Sequence, residues 1–202
     1  MEEKNIILDI IIGLVKGLKS KDEAIEINKN GKMYKLWACR YLLNQTLRHW
    51  HLTDDKYYIS LKAKELWDKL TNNQNIIHYH TEMVNCENTT PIKVKIYKGA
   101  KNECVEEPTL IKGDKFKFNS VFHEEHIIPI NIIIENLCAL DELNYENVEN
   151  ILNKISICKI LKEEDKNLNK SHLKNKRPCD VDFVLNNLYK QVEIETMRVD
   201  KI

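Results

Sequence analysis

The chain has 202 residues, of which 43% are hydrophobic and 31% charged, with only five Gly and four Pro. This balance excludes the disordered, fibrous and glycine-rich phosphate-cradling classes and suits one compact domain, or one domain with an appended subdomain. Lys plus Arg and Asp plus Glu both number 31, so net charge is zero and any nucleic-acid partner must be met by local charge.

In chain order, the first apolar run, Ile6 to Leu18, is broken by Asp9 and Lys16. It falls short of the roughly 20 residues a bilayer span needs. Met1-Glu2-Glu3-Lys4 is acidic where a secretory leader carries positive charge, so a cytoplasmic protein without a membrane partner is expected. Ile7, Ile10, Ile11, Leu14 and Leu18 recur at helical spacing, as do Leu36, Cys39, Leu43, Leu47 and Trp50, and then Ile59, Ala63, Leu66 and Leu70. These predict a helical N-terminal part over residues 1–72, serving recognition or dimerisation. Between Asn72 and Phe122 the runs become short and rich in β-branched or aromatic residues: Asn75 to Tyr79, Ile92 to Tyr97 and Lys115 to Phe122, punctuated by Pro91, Gly99, Pro108 and Gly113. Strands and loops are expected there. Helical spacing returns at Ile130, Ile133, Ile134, Leu137 and Leu140, and at Val148, Ile151, Leu152 and Ile155. Ile155 to Ile160 then reads as a strand entering a polar helix, Lys162 to Asn169. The six cysteines form no C-x-x-C pair, so a zinc ribbon or disulfide framework is not indicated and free thiols are expected.

The most informative segment is Phe118-Asn119-Ser120-Val121-Phe122-His123-Glu124-Glu125-His126-Ile127-Ile128-Pro129. An alternating strand ends here in two His and two Glu, a density of ionisable groups that is costly beside apolar residues unless partners or a metal satisfy it. Glu125-His126-Ile127-Ile128-Pro129 resembles the first half of the HNH, or ββα-metal, endonuclease motif, with a tail similar to restriction-type members. The resemblance implies that His126 is the general base, that Glu125, where the family more often has Asp or His, binds a divalent metal, and that a further ligand comes from the helix after a second strand. His123 is read as an auxiliary catalytic group that orients the ligands or contacts the phosphate, or else as a surface residue.

The chemistry fits these residue types. Phosphodiester hydrolysis needs a nucleophile made at neutral pH and a cation to offset charge on the phosphate and leaving oxygen. An imidazole of ordinary pKa, about 6.5, is mostly neutral at pH 7 and accepts a proton, and a carboxylate is the hard donor that Mg²⁺ or Mn²⁺ prefers. The implied fold is α+β: a helical N-terminal part plus a ββα-metal core over residues 73–202, with 130–154 as a helical insertion, Ile155 to Ile160 as second strand and Lys162 to Asn169 as the metal-facing helix. With Leu168 as that helix's core anchor, Glu164 and Asp165 share its face and are the expected helix-borne ligands. Asn167 and Asn169 match the family's residue type but fit this geometry less well.

Three stretches carry lysine and arginine without acid: residues 28–52, 90–101 and 166–177. The last follows the metal helix and offers Lys170, Lys174, Lys176 and Arg177 to the phosphates of double-stranded DNA. His78 and His80 share a face of one expected strand, as a solvated pair or an auxiliary site. The expectation is therefore a Mg²⁺- or Mn²⁺-dependent DNA endonuclease of restriction or phage-defence type. A non-catalytic nucleic-acid-binding module and a zinc-dependent hydrolase, with His123 and His126 as ligands, are the alternatives.

Overall fold

A computed structural model describes the chain except for residues 1, 21–23, 30–31, 49, 51–55, 77–82, 89, 99–102, 105–108, 112–114, 172, 174–175 and 201–202. Helices and strands are mixed along it in an α+β arrangement. It divides into two compact units: Met1–Asp54 with Ile128–Ser156 and Arg177–Val181, and Asp55–Ile127 with Ile157–Lys176 and Asp182–Ile202. This differs from the sequence-based division at residue 72, because α3 (Leu61–Thr71) belongs with the sheet while the helices between residues 130 and 152 belong with the N-terminal ones.

In the first unit, α1 (Glu2–Ser20) buries Leu8, Ile11, Ile12 and Val15, a stripe turned from the expected one. Of Ile7, Ile10, Ile11, Leu14 and Leu18 only Ile11 is fully buried, and Ile10 is half exposed, because this nearly all-apolar run offers more than one helical stripe. The strands β1 (Ala24–Lys29) and β2 (Lys32–Trp37) pair antiparallel, where helical spacing had included Leu36 in a helix; α2 (Ala38–Arg48) begins only after them. At Gly17 a Cβ would stand 2.6 Å from Cys39 Sγ, so glycine permits α1 to pass close to α2. α5 (Ile130–Ala139) buries Ile130, Ile133, Ile134 and Leu137. α6 (Tyr145–Leu152) starts at Asn144, whose side chain accepts from the Asn147 amide. Polar ties fasten α1 to this pair: Lys4 to Glu149, Tyr145 to Asp9, and Lys19 Nζ to the Leu140 carbonyl at 2.6 Å.

The second unit is built on β3 (Lys56–Ser60), β10 (Phe122–His126), β11 (Ile157–Leu161) and β12 (Thr196–Asp200), in the order β10-β11-β3-β12. β10 and β11 are antiparallel, β11 and β3 parallel, β3 and β12 antiparallel. Short antiparallel pairs join β4 (Met83–Asn85) to β9 (Lys115–Lys117), β5 (Ile92–Val94) to β8 (Thr109–Ile111) and β6 (Tyr97–Lys98) to β7 (Glu103–Cys104). Lys115 to Phe122 is not one strand, since the single turn α4 (Phe118–Val121) separates β9 from β10. α7 (Lys162–Lys170) follows β11 directly and packs on both strands of the β10–β11 ribbon. A three-residue turn α8 (Val181–Phe183) and a π-helical turn over Val184–Tyr189 precede β12.

The core of this unit centres on Trp67 of α3, fully buried and set edge-on to Phe118 at 6.0 Å and Phe122 at 5.6 Å between ring centroids. Phe118 and Phe122 stack on each other at 5.1 Å. Trp67 Nε1 donates to the Gln74 carbonyl at 2.6 Å, which closes the loop after α3, where Asn72 and Asn73 take positive φ. This aromatic group anchors Phe122, the first residue of β10, and so sets which face of the strand its later side chains present.

Candidate metal centre

Successive side chains of a strand alternate between its faces. With Phe122 in the aromatic core, His123 and Glu125 point to the other side of β10 together. There His123 Nε2 lies 3.3 Å from Glu125 Oε2 and 3.8 Å from Asp165 Oδ1 of α7. One donor atom from each of the three side chains can be chosen so that all lie within 4.8 Å of one another. Their side chains are 32%, 12% and 6% exposed respectively, so the group opens to solvent through the imidazole while the carboxylates are recessed.

These residues fit a divalent cation. Donors 2.1 Å from a shared ion stand about 3.0 Å apart when adjacent and about 4.2 Å when opposite, given octahedral bond lengths. The two spacings to His123 lie in that range. One imidazole nitrogen with carboxylate oxygens suits Mn²⁺ and Mg²⁺ and is also compatible with Zn²⁺. Such a carboxylate pair beside an imidazole is electrostatically satisfied by an added cation.

Asn169 completes the group from one helical turn beyond Asp165: its Nδ2 donates to Asp165 Oδ1 at 3.1 Å. Its Oδ1 is buried without a hydrogen-bond partner among the described residues. Sequence reasoning set Asn169 aside on helix geometry, yet the i,i+4 spacing from Asp165 was the signal that places it on the same face.

Glu164 is not in this group, which corrects its expected role as a metal ligand. Its Oε2 instead accepts from Ser60 Oγ at 2.6 Å and from the Leu161 amide at 2.8 Å. Burial is the main cause that pushes its carboxyl above the ordinary range, and the bonds from Ser60 and Leu161 oppose this. Two neighbours on a helix are about 100° apart, so Glu164 and Asp165 cannot both face the ribbon in the same way.

His126 ends β10 opposite Ile157, and alternation sends it to the side of Phe122 and Glu124, away from Glu125, which corrects its expected place as the base beside the metal. On that side Lys159, fully buried, holds Glu124 Oε1 at 2.6 Å. Of the four expected phosphate contacts, Lys170 and Lys176 are exposed, while Lys174 lies outside the described residues. Arg177 is 2% exposed, which removes it from any surface that phosphates would meet. His78 and His80 also lie outside the described residues. On the outer side of α7, Lys95 pairs with Glu163 at 2.6 Å and Lys166 lies 5.7 Å over the Tyr97 ring, so this helix carries cations beside its recessed carboxylates.

Cys39, Cys86, Cys138, Cys158 and Cys179 are free thiols. No helix among the described residues is long and apolar enough to cross a membrane. No protein-family model, curated protein or solved structure matches the chain.

Proposed function

We propose that this chain is a divalent-metal-dependent endonuclease acting on DNA, of the HNH type that Glu125-His126-Ile127-Ile128-Pro129 resembles. The observation that carries the reading is the convergence of His123, Glu125 and Asp165 from an antiparallel β10–β11 ribbon and the helix directly after it. Two strands and a helix with acidic and imidazole donors between them are what a ββα-metal site requires. The two helices α5 and α6 between the strands then correspond to an insertion in that plan.

In this reading His123, Glu125 and Asp165 hold Mg²⁺ or Mn²⁺, and Asn169 keeps Asp165 oriented through its amide. A divalent cation bound there supplies charge neutralisation on the scissile phosphate and on the leaving oxygen. The resemblance gives proton transfer from the attacking water to His126, but alternation turns that side chain to the face of β10 away from the donor group, so the geometry supports the metal-binding half of the motif and not this half. Lys170 and Lys176 neutralise phosphates of the bound duplex.

The test is nicking of supercoiled plasmid with Mg²⁺ or Mn²⁺, with and without EDTA. Metal-dependent nicking that Asp165→Asn abolishes supports the reading. DNA binding without nicking under any of these metals contradicts it and selects a non-catalytic nucleic-acid-binding module. One equivalent of zinc retained through purification, with no nicking, selects a zinc hydrolase, which the imidazole in the donor set also suits.

A further inference from the structure

We infer that Glu164 is a positioning residue: by joining Ser60 to the first turn of α7, its carboxylate sets where the next residue, Asp165, stands. The inference rests on the metal reading above and assigns a role to a side chain outside the donor group.

Ser60 is the last residue of β3 and the N-cap of α3, and its Oγ does two things. It accepts from the Ala63 amide at 3.1 Å and donates to Glu164 Oε2 at 2.6 Å. The same Oε2 accepts from the Leu161 amide at 2.8 Å. One oxygen thus ties the start of α3 to the start of α7. The need for it is local: the N-cap of α7 is Leu161, which has no side-chain acceptor for the helix's free amides. Half of a capping box remains, the half in which the third helical residue reaches back to the N-cap amide. A box normally closes with a cap hydroxyl that accepts from the third residue's amide; here the Ser60 hydroxyl, 104 residues away in sequence, instead holds the Glu164 carboxylate in place by donating to it.

The bonds are buried, since Ser60 is fully buried and Glu164 is 4% exposed. They fix the rotation and depth of the first turn of α7 against β3 and β11. Asp165 lies within that turn, and its reach to His123 depends on the turn's position. Outer partners of this kind change metal affinity by roughly 10- to 100-fold when removed. A glutamine at 164 offers a carbonyl oxygen to both donors and serves equally in a capping box. An alanine offers nothing.

The experiment titrates the full-length protein with Mn²⁺ alone, free ion being counted by electron paramagnetic resonance, and thermal melting shows which variants are folded. Glu164→Ala is expected to weaken Mn²⁺ binding roughly tenfold or more. Glu164→Gln should restore binding to within about twofold of wild type, whereas Asp165→Asn should lose it. If Glu164→Ala does not fold, Ser60→Ala decides, because it keeps the carboxylate and removes the hydroxyl that orients it; weakened binding is expected. Binding by Glu164→Gln as poor as that of Asp165→Asn would show that the charge itself is used and overturn the positioning role. Unchanged binding in folded Glu164→Ala, or in Ser60→Ala, would overturn it as well. Those outcomes leave the metal reading intact, whereas wild-type protein that binds no Mn²⁺ overturns that reading and this role with it.

Discussion

Lys159 Nζ lies 2.6 Å from Oε1 of Glu124, its direct partner across the β10–β11 ribbon, on the side opposite His123 and Glu125. The ammonium also sits 5.0 Å from the Phe118 ring and 5.4 Å from the Tyr57 ring. Burial lowers the Lys159 pKa and the Glu124 charge opposes that shift, so the pair is held together by mutual need. Lys159→Met takes the ammonium away from a Glu124 carboxylate whose side chain is only 14% exposed and should cost about 3 kcal/mol in urea unfolding. Lys159→Met with Glu124→Leu should recover most of this. Equal or greater loss in the double variant would mean that the two charges are not coupled.

His126→Ala should leave metal-dependent nicking near the wild-type rate, because its side chain leaves β10 on the face away from the donor group. Its Mn²⁺ affinity should stay near that of wild type, because the donor group does not include His126. A loss of about 100-fold or more, the lower end of what a positioned general base supplies, would return proton transfer to His126.

Lys170 and Lys176 are exposed at and beyond the end of α7. Replacing both with alanine should reduce the slope of log binding constant against log salt by roughly 2, at about 0.9 for each phosphate no longer neutralised. Fluorescence anisotropy with duplex DNA at several salt concentrations measures this slope. An unchanged slope would place the phosphates elsewhere.

Trp67→Ala should destabilise the protein by about 3–5 kcal/mol, as expected for an aromatic side chain with no exposed surface. Because Trp67 packs on Phe122 at the start of β10, Mn²⁺ binding should weaken in the same variant while it is still folded. Chemical denaturation and Mn²⁺ titration read the two effects separately.

Helices that bury one stripe were legible in the sequence. Ile130, Ile133, Ile134 and Leu137 mark α5, and Leu168 with its polar neighbours marks α7. β3 was not legible, because Ile59 stands at helical spacing from Ala63 and Leu66 although Ser60 caps the helix and ends the strand. The β1–β2 pair was missed for a similar reason: Leu36 and Trp37 continue into the pattern of α2, and the Asn30-Gly31 dipeptide between two alternating runs, a hairpin signal, was not used. At the site, His123, Glu125 and Asp165 were all visible as candidates. Their grouping depends on strand alternation set by Phe122, and the choice of Asp165 over Glu164 depends on Ser60, a contact across 104 residues that no local spacing encodes.

Whether His123, Glu125 and Asp165 form a metal centre is decided by crystallography of the protein soaked in Mn²⁺, with diffraction data collected at the manganese absorption edge. One strong anomalous peak is expected at bonding distance from His123 Nε2 and from carboxylate oxygens of Glu125 and Asp165, about 2.0–2.3 Å away. A peak at another cluster, or no peak among these three side chains at saturating Mn²⁺, would contradict the assignment.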